Sequence, residues 1–457
     1  MPTSPVDYAR NNRSRYLEML KELLSIPSIS TQSVHNADMQ RCAEWLTQTM
    51  SSIGLKNTAI YPTPGHPVVY GEWLEAGPNA PTALIYGHYD VQPPDPLELW
   101  ETPPFEPSVR GDNIYARGAT DDKGQLFIHL AAVDALFKTT GALPVNIKFI
   151  IEGEEESGGK NLDPFIKSHQ DLLAADCALI SDTSIVSPEQ PSIVYALRGL
   201  ATLEIEVKSA ARDLHSGQYG GAIHNPLLAL SQIISAMFDE NNRITIPGFY
   251  DDVLPLGDEE RDLLAALPDT LLQETGARNL WGDPAFTPVE RISARPTFEV
   301  HGIVGGYTDE GVKTVIPAEA TAKISMRLVP NQDPQKIAQR FTDYVNALAP
   351  DTVTLKIRQT GLGNGAVIDR NDPSMMAASN AYQAAFRRRP IFTREGGSIP
   401  VVAAFQRILD LPVVMMGFGL TDDRLHSPNE KFHLPNFYRG IETSIHFMRE
   451  YAKLKAA

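Results

Sequence analysis

Four carboxylates in five positions, those of Glu152, Glu154, Glu155 and Glu156, follow directly on the apolar run Val145–Ile151 and end at Gly158-Gly159. On a solvated helix an acidic run of this kind is an ordinary charged face. Here a short apolar strand delivers it to one edge of a sheet, where the charges repel one another and are costly to hold together unless cations neutralise them. A divalent metal cluster is the economical explanation. It also constrains the fold, because further donors must be gathered at the same edge.

Other apolar runs end in the same way. Thr82–Gly87 runs into His88-Tyr89-Asp90, Ala178–Ile180 into Ser181-Asp182-Thr183, and Pro412–Met416 into a Gly417-Phe418-Gly419 turn followed by Asp422-Asp423-Arg424-Leu425-His426. Helical spacing marks Tyr16–Leu24, Cys42–Ile53 and Gln125–Leu136 between the early strands. Helices alternating with fully apolar strands predict an α/β fold with a largely parallel sheet flanked by helices, whose sites collect beyond the carboxyl ends of the strands. From Gly199 to about Gly363 the pattern changes: Thr202–Val207 and Thr352–Ile357 alternate with period two, and the helical stretches 226–237 and 334–349 can cover one face. The domain expectation is a catalytic layer over 1–198 and 364–457, interrupted by an inserted α+β domain over 199–363. The Pro-, Asp- and Gly-rich stretch 247–296 has weak periodicity and yields no assignment.

Taken singly the polar motifs are weak. A His-x-Asp at a strand end is common, although Asp90 is well spaced to fix the His88 tautomer. One of Asp121 and Asp122, in Gly118-Ala119-Thr120-Asp121-Asp122-Lys123-Gly124, suffices to cap the following helix; the second exceeds that need. Asp182 and His426 could each sit in a plain turn. Together His88, Asp121, Glu156, Asp182 and His426 form a mixed N/O ligand set on successive strand ends, suited to Zn, Mn or Co rather than Ca or Mg.

With 457 residues the chain exceeds one ordinary domain, and two are expected. A formal charge of −16 disfavours nucleic acid as a partner, since phosphate binding needs clustered Lys and Arg. No run approaches a membrane span, and residues 1–15 lack the apolar stretch of a signal peptide. Two cysteines, Cys42 and Cys177, are too few for a disulfide framework, so a reducing cytoplasm is expected.

Gly87-His88-Tyr89-Asp90-Val91-Gln92, Gly118–Gly124, Glu155-Glu156-Ser157-Gly158 and Asp182 resemble the ordered signature of M20 metallopeptidases, over nearly the whole chain. Arg212–Gly217, Ser325–Pro330, Arg394–Pro400 and His426–Glu430 resemble the family's cytosolic, carnosinase-like dipeptidase branch. The resemblance implies two divalent ions per subunit, Zn or Mn with Co as a further option. His88 and Asp182 would hold one, Glu156 and His426 the other, and Asp121 would bridge them. It implies Glu155 as general base, Asp90 as the residue orienting His88, and a cis peptide between Asp121 and Asp122. Glu154 adds an acid to the pattern, so the base among Glu154, Glu155 and Glu156 is chosen by anchoring on Ser157-Gly158. The inserted domain resembles the family's lid and dimerisation domain. A homodimer would bring His215 to the partner's site, and Arg327, Thr314, Gly397 and Ser398 would clamp the C-terminus of a dipeptide or short peptide. An N-acyl-amino-acid deacylase and a catalytically silent scaffold of the same fold are the competing readings. A calcium-binding protein is disfavoured by the His ligands and the lack of an EF-hand loop.

Overall fold

The computed structural model describes residues 3–267, 269–397 and 399–454. The chain divides into two compact units: Met1–Tyr195 with Ile368–Thr393 and Val401–Ala457, and Ala196–Val367 with Arg394–Pro400.

The sheet of the first unit runs Lys56–Tyr61, Val68–Trp73, Asn146–Glu152, Thr82–His88, Cys177–Ile180, Val413–Met415, Ser192–Leu197. Its centre is parallel: Thr82–His88 pairs in parallel with both Asn146–Glu152 and Cys177–Ile180, and Val413–Met415 with Cys177–Ile180. The flanking pairs are antiparallel. The central strands are buried on both faces, which is why they read as mostly apolar runs rather than alternating ones.

Helix Lys123–Thr140 is buried around its whole circumference from Lys123 to Leu136, between strand Thr82–His88 and helix Leu434–Tyr451. The approach of the two helices depends on Gly440, where an added Cβ would lie 2.5 Å from Ile128 Cδ1. Parallel alignment brings His88 level with Glu152. One end of the sheet therefore receives His88, the 152–156 acids, Asp182 and the loop after Met415.

The second unit carries a four-stranded antiparallel sheet in the order Thr297–Gly305, Glu319–Leu328, Gly199–Lys208, Thr354–Gly363. Gly199–Lys208 alternates between buried and half-buried positions up to the exposed Lys208, as its period-two sequence requires. The buried face packs on helices Pro226–Ser235 and Pro334–Leu348 around Leu203, Ile205, Ile233, Ile324 and Phe341. Both helices begin with an Asx cap followed by Pro: Asn225 accepts from the Leu227 amide and Asp333 from the Lys336 amide. The stretch left without assignment, 247–296, contains the short helices Asp258–Ala265, Leu271–Thr275 and Pro288–Ser293, the last closed by a Thr287–Glu290 capping box.

Candidate metal centre

The five donors, drawn from five separate segments of sequence, meet at the strand ends of the first unit. His88, Asp121 and Asp182 form one group, and Asp121, Glu156 and His426 another, with the donor atoms of each group within 4.8 Å of one another. Asp121 belongs to both. Its Oδ1 lies 3.0 Å from His88 Nε2 and its Oδ2 2.9 Å from His426 Nε2, so its two oxygens face different histidines. Asp182 Oδ2 is 3.9 Å from His88 Nε2, and Glu156 Oε2 is 3.3 Å from His426 Nε2. The Asp121–Asp122 peptide is cis.

The electrostatics set buried acids against two imidazoles. Burial, reinforced by Asp121 and Asp122, pushes the Asp182 carboxyl well above the usual carboxylate range. Burial alone would raise Asp121 too, but the His426 and His88 imidazoles outweigh it and hold this carboxyl low. Hydrogen bonding to Asp121 and then Glu156 drives His426 up to about 10. The two imidazoles are thus the counter-charges that the chain itself sets against these acids. Nitrogen and carboxylate donors in two groups sharing one carboxylate fit a pair of borderline divalent ions.

Asp90 does more than face the imidazole. His88 Nδ1 is 3.0 Å from the Asp90 backbone oxygen and 3.4 Å from Oδ1. The Asp90 carboxylate accepts from the backbone N–H groups of Glu155 (3.2 Å) and Glu156 (3.0 Å) and from the Ser30 hydroxyl (2.6 Å). One buried acid therefore holds both the histidine and the acidic turn. Within that turn the three glutamates diverge. Glu154 accepts from Asn161 Nδ2 at 2.8 Å, Glu156 enters the donor group with His426 and accepts from Gln92 Nε2 at 2.7 Å, and Glu155 belongs to neither donor group. Burial, then Glu156 and Asp121, push the Glu155 carboxyl up to about 7, against the opposing pull of His88.

The residues expected to meet substrate lie in the second unit. His215 is exposed and pairs with Val315 across a two-residue ladder; its Nδ1 accepts from the Gly217 amide at 2.9 Å, and the Thr314 carbonyl accepts from the Ser216 amide at 3.1 Å. Arg327, half-buried on strand Glu319–Leu328, has its pKa lowered by that burial. Gly397 accepts from the Arg198 amide at 3.2 Å, and Arg198 Nε donates to the Gly396 carbonyl at 3.0 Å. Ser398 lies outside the described residues.

Sequence reasoning missed Ser30, Gln92 and Arg198. Gln92 sits within the quoted Gly87–Gln92 motif and could have been read as an amide donor for a carboxylate ligand; Ser30 and Arg198 carry no local signal. His129, buried outside this donor set, hydrogen-bonds the hydroxyls of Ser444 (2.9 Å) and Ser181 (2.7 Å).

Comparison with known proteins gives a consistent result. The model of peptidase family M20/M25/M40 matches residues 84–450. The Cys-Gly metallodipeptidase DUG1 of Candida albicans is 32% identical, over 99% of this chain and 98% of that protein. The Beta-Ala-His dipeptidase of Homo sapiens is 30% identical over 98% of this chain and 92% of its own length. Among solved structures, the M20 family metallo-carboxypeptidase Sso-CP2 from Sulfolobus solfataricus superposes with a TM-score of 0.87 at 33% identity, covering 96% of this chain and 99% of that one.

Proposed function

The chain belongs to the M20/M25/M40 peptidase family, and from that premise we propose that it is a metallodipeptidase that hydrolyses the amide bond of dipeptides or short peptides, with Glu155 as general base. The observation that carries this reading is the sharing of Asp121 between two donor groups, with the one unclaimed glutamate of the acidic turn beside them.

His88 and Asp182 would hold one divalent ion, Glu156 and His426 the other, and Asp121 both; Zn or Mn suits these donors, with Co a further option. Once bound, the ions supply Lewis-acid polarisation of the scissile carbonyl and lower the pKa of the attacking water. The remaining chemistry belongs to the chain. Glu155 takes the proton of the attacking water and returns it to the departing amine, a double duty suited to a carboxyl whose pKa lies near working pH. Asp90 keeps the imidazole of His88 and the amides of the 155–156 turn in register for that transfer.

His215, Thr314, Arg327, Gly397 and Ser398 form the proposed substrate set, Arg327 presenting a planar guanidinium to the peptide carboxylate. A homodimer in which His215 serves the partner's site is part of the proposal. It is supported by the exposed Ile303 and Val304 on the edge strand Thr297–Gly305 of the second unit. A cytoplasmic setting is supported by two buried free cysteines, and no helix among the described residues is long and apolar enough to cross a membrane.

The experiment is to strip the protein of metal, restore Mn or Zn, and assay dipeptides, tripeptides and N-acetyl amino acids. Metal-dependent cleavage of dipeptides supports the proposal. Release of C-terminal residues from longer peptides would move the assignment towards a carboxypeptidase, as in the Sulfolobus relative; turnover of acyl amino acids alone, or none, would sink it.

A further inference from the structure

Glu430 ends the segment that carries His426, and it is fully buried beside an equally buried Arg117. Its Oε2 accepts from Arg117 Nη1 (2.7 Å) and the Gly118 amide (3.0 Å); its Oε1 accepts from the amides of Thr120 (3.0 Å) and Asp121 (3.2 Å). Four donors from one five-residue loop thus converge on a single carboxylate, and the last of them is the backbone of the acid shared by both donor groups. A buried carboxylate is expensive unless paired and hydrogen-bonded in this way.

The segment on the other side is itself held under constraint. Arg424, His426 and Asn429 all have φ near +60°, a conformation that costs side-chain-bearing residues energy and persists only when surrounding contacts impose it. Such contacts surround this segment. Asn429 accepts from the Glu101 amide (2.9 Å) and donates to the Leu99 carbonyl (2.7 Å), while Asp423 accepts from the Thr120 hydroxyl (3.0 Å) and Lys431 Nζ (2.9 Å).

We propose that Glu430 is a positioning residue of the metal centre: through one carboxylate it locks the loop bearing Asp121 to the segment bearing His426, so that these two of the three donors of one group are presented together. This rests on the metallopeptidase reading, yet it concerns ion binding and is read without substrate. Glu430→Gln conserves shape but turns an NH₂ towards donors on one side whichever way the amide faces.

The test is calorimetric titration of the metal-stripped wild type and Glu430→Gln with Mn²⁺ alone, with melting curves, and kcat and KM after loading. Loss of an outer partner of a metal ligand weakens ion affinity by ~10–100-fold. That loss is expected, with kcat reduced at subsaturating ion and KM unchanged. Asp134→Asn is the control: Asp134 is as buried and accepts from Arg15 and Tyr16, remote in sequence from the donor loops, so the variant should melt earlier with wild-type ion affinity. Should Glu430→Gln fail to fold, Arg117→Lys carries the same titration, expected to weaken the ion in the same direction. Wild-type affinity in the variant titrated, or an equal loss in Asp134→Asn, overturns the proposal. A wild type that binds Mn²⁺ but cleaves no peptide would instead overturn the functional reading and leave this one standing.

Discussion

Glu155→Gln should make the ion-free protein more stable while disabling the loaded one. The carboxyl of Glu155 moves from its ordinary 4.5 to about 7 on folding, chiefly through burial. An acid whose folded pKa is raised binds more protons in the folded state, so its contribution to stability falls as pH rises from about 4.5 through about 7 and stays lost above that. At ~1.4 kcal/mol per pH unit of displacement the ceiling is about 3 kcal/mol, reduced by the partial exposure of the side chain. Glutamine removes the charge at constant shape. Ion-free Glu155→Gln should therefore melt above the wild type at pH 8 and level with it at pH 4.5. In the loaded protein the five donors are untouched, so ion stoichiometry should hold while kcat falls by ~10²–10⁴, the usual worth of a general base, or about 3–5 kcal/mol of barrier. Melting curves across pH, metal analysis and dipeptide turnover supply the readouts. A variant that melts no higher at pH 8, or that loses activity only because it loses ions, would refute the reasoning.

Three further outcomes follow from the same geometry. Burial lowers the His129 pKa to about 3; a base refused its proton in the folded state makes stability fall as pH drops from 6.5 towards 3, with a ceiling of about 5 kcal/mol, so His129→Gln should flatten the acid side of the ion-free melting profile. An unchanged profile would show that His129 is not what acid attacks. Arg327→Gln should raise KM for dipeptides by ~10–100-fold, as expected for loss of hydrogen bonds to a carboxylate, with the melting temperature nearly unchanged; wild-type KM would remove Arg327 from the clamp. A Cβ on Gly417 would lie 2.0 Å from the Thr183 carbonyl, one residue beyond Asp182, so Gly417→Ala should lower the melting temperature by an overpacking cost of ~1–3 kcal/mol and weaken ion binding with it. Wild-type calorimetric titration would show that the Asp182 strand end is free to shift.

Much of this architecture was legible because burial on both faces writes itself into sequence. Thr82–His88, Asn146–Glu152 and Cys177–Ile180 are buried along nearly their whole length, and their runs are almost entirely apolar before the site begins, Lys148 being the interior exception, with its ammonium donating to the Leu172 and Ala174 carbonyls. Helix Pro373–Phe386 and strand Ser192–Leu197 escaped for the complementary reason: the first carries little apolar asymmetry, and the second is a short apolar run that periodicity cannot tell from a helix segment. The stretch 247–296 stayed unassigned because its helices are five to eight residues long, one to two turns, too short for an amphipathic period to stand out.

The sequence by itself determined the chemistry: which acids and imidazoles stand at strand ends, that they are too many to be left unneutralised, and that the family's motifs occur in order. Tertiary structure decided what each member of that set faces. Three consecutive glutamates have the same chemistry and differ only in what they face: Glu154 meets Asn161 seven residues on, Glu156 meets His426 from the far end of the chain, and Glu155 joins neither donor group. The same holds for Glu430, an acid 309 positions from Asp121 in sequence yet 3.2 Å from its amide, because hydrogen bonds act over ångströms and sequence patterns over a few residues.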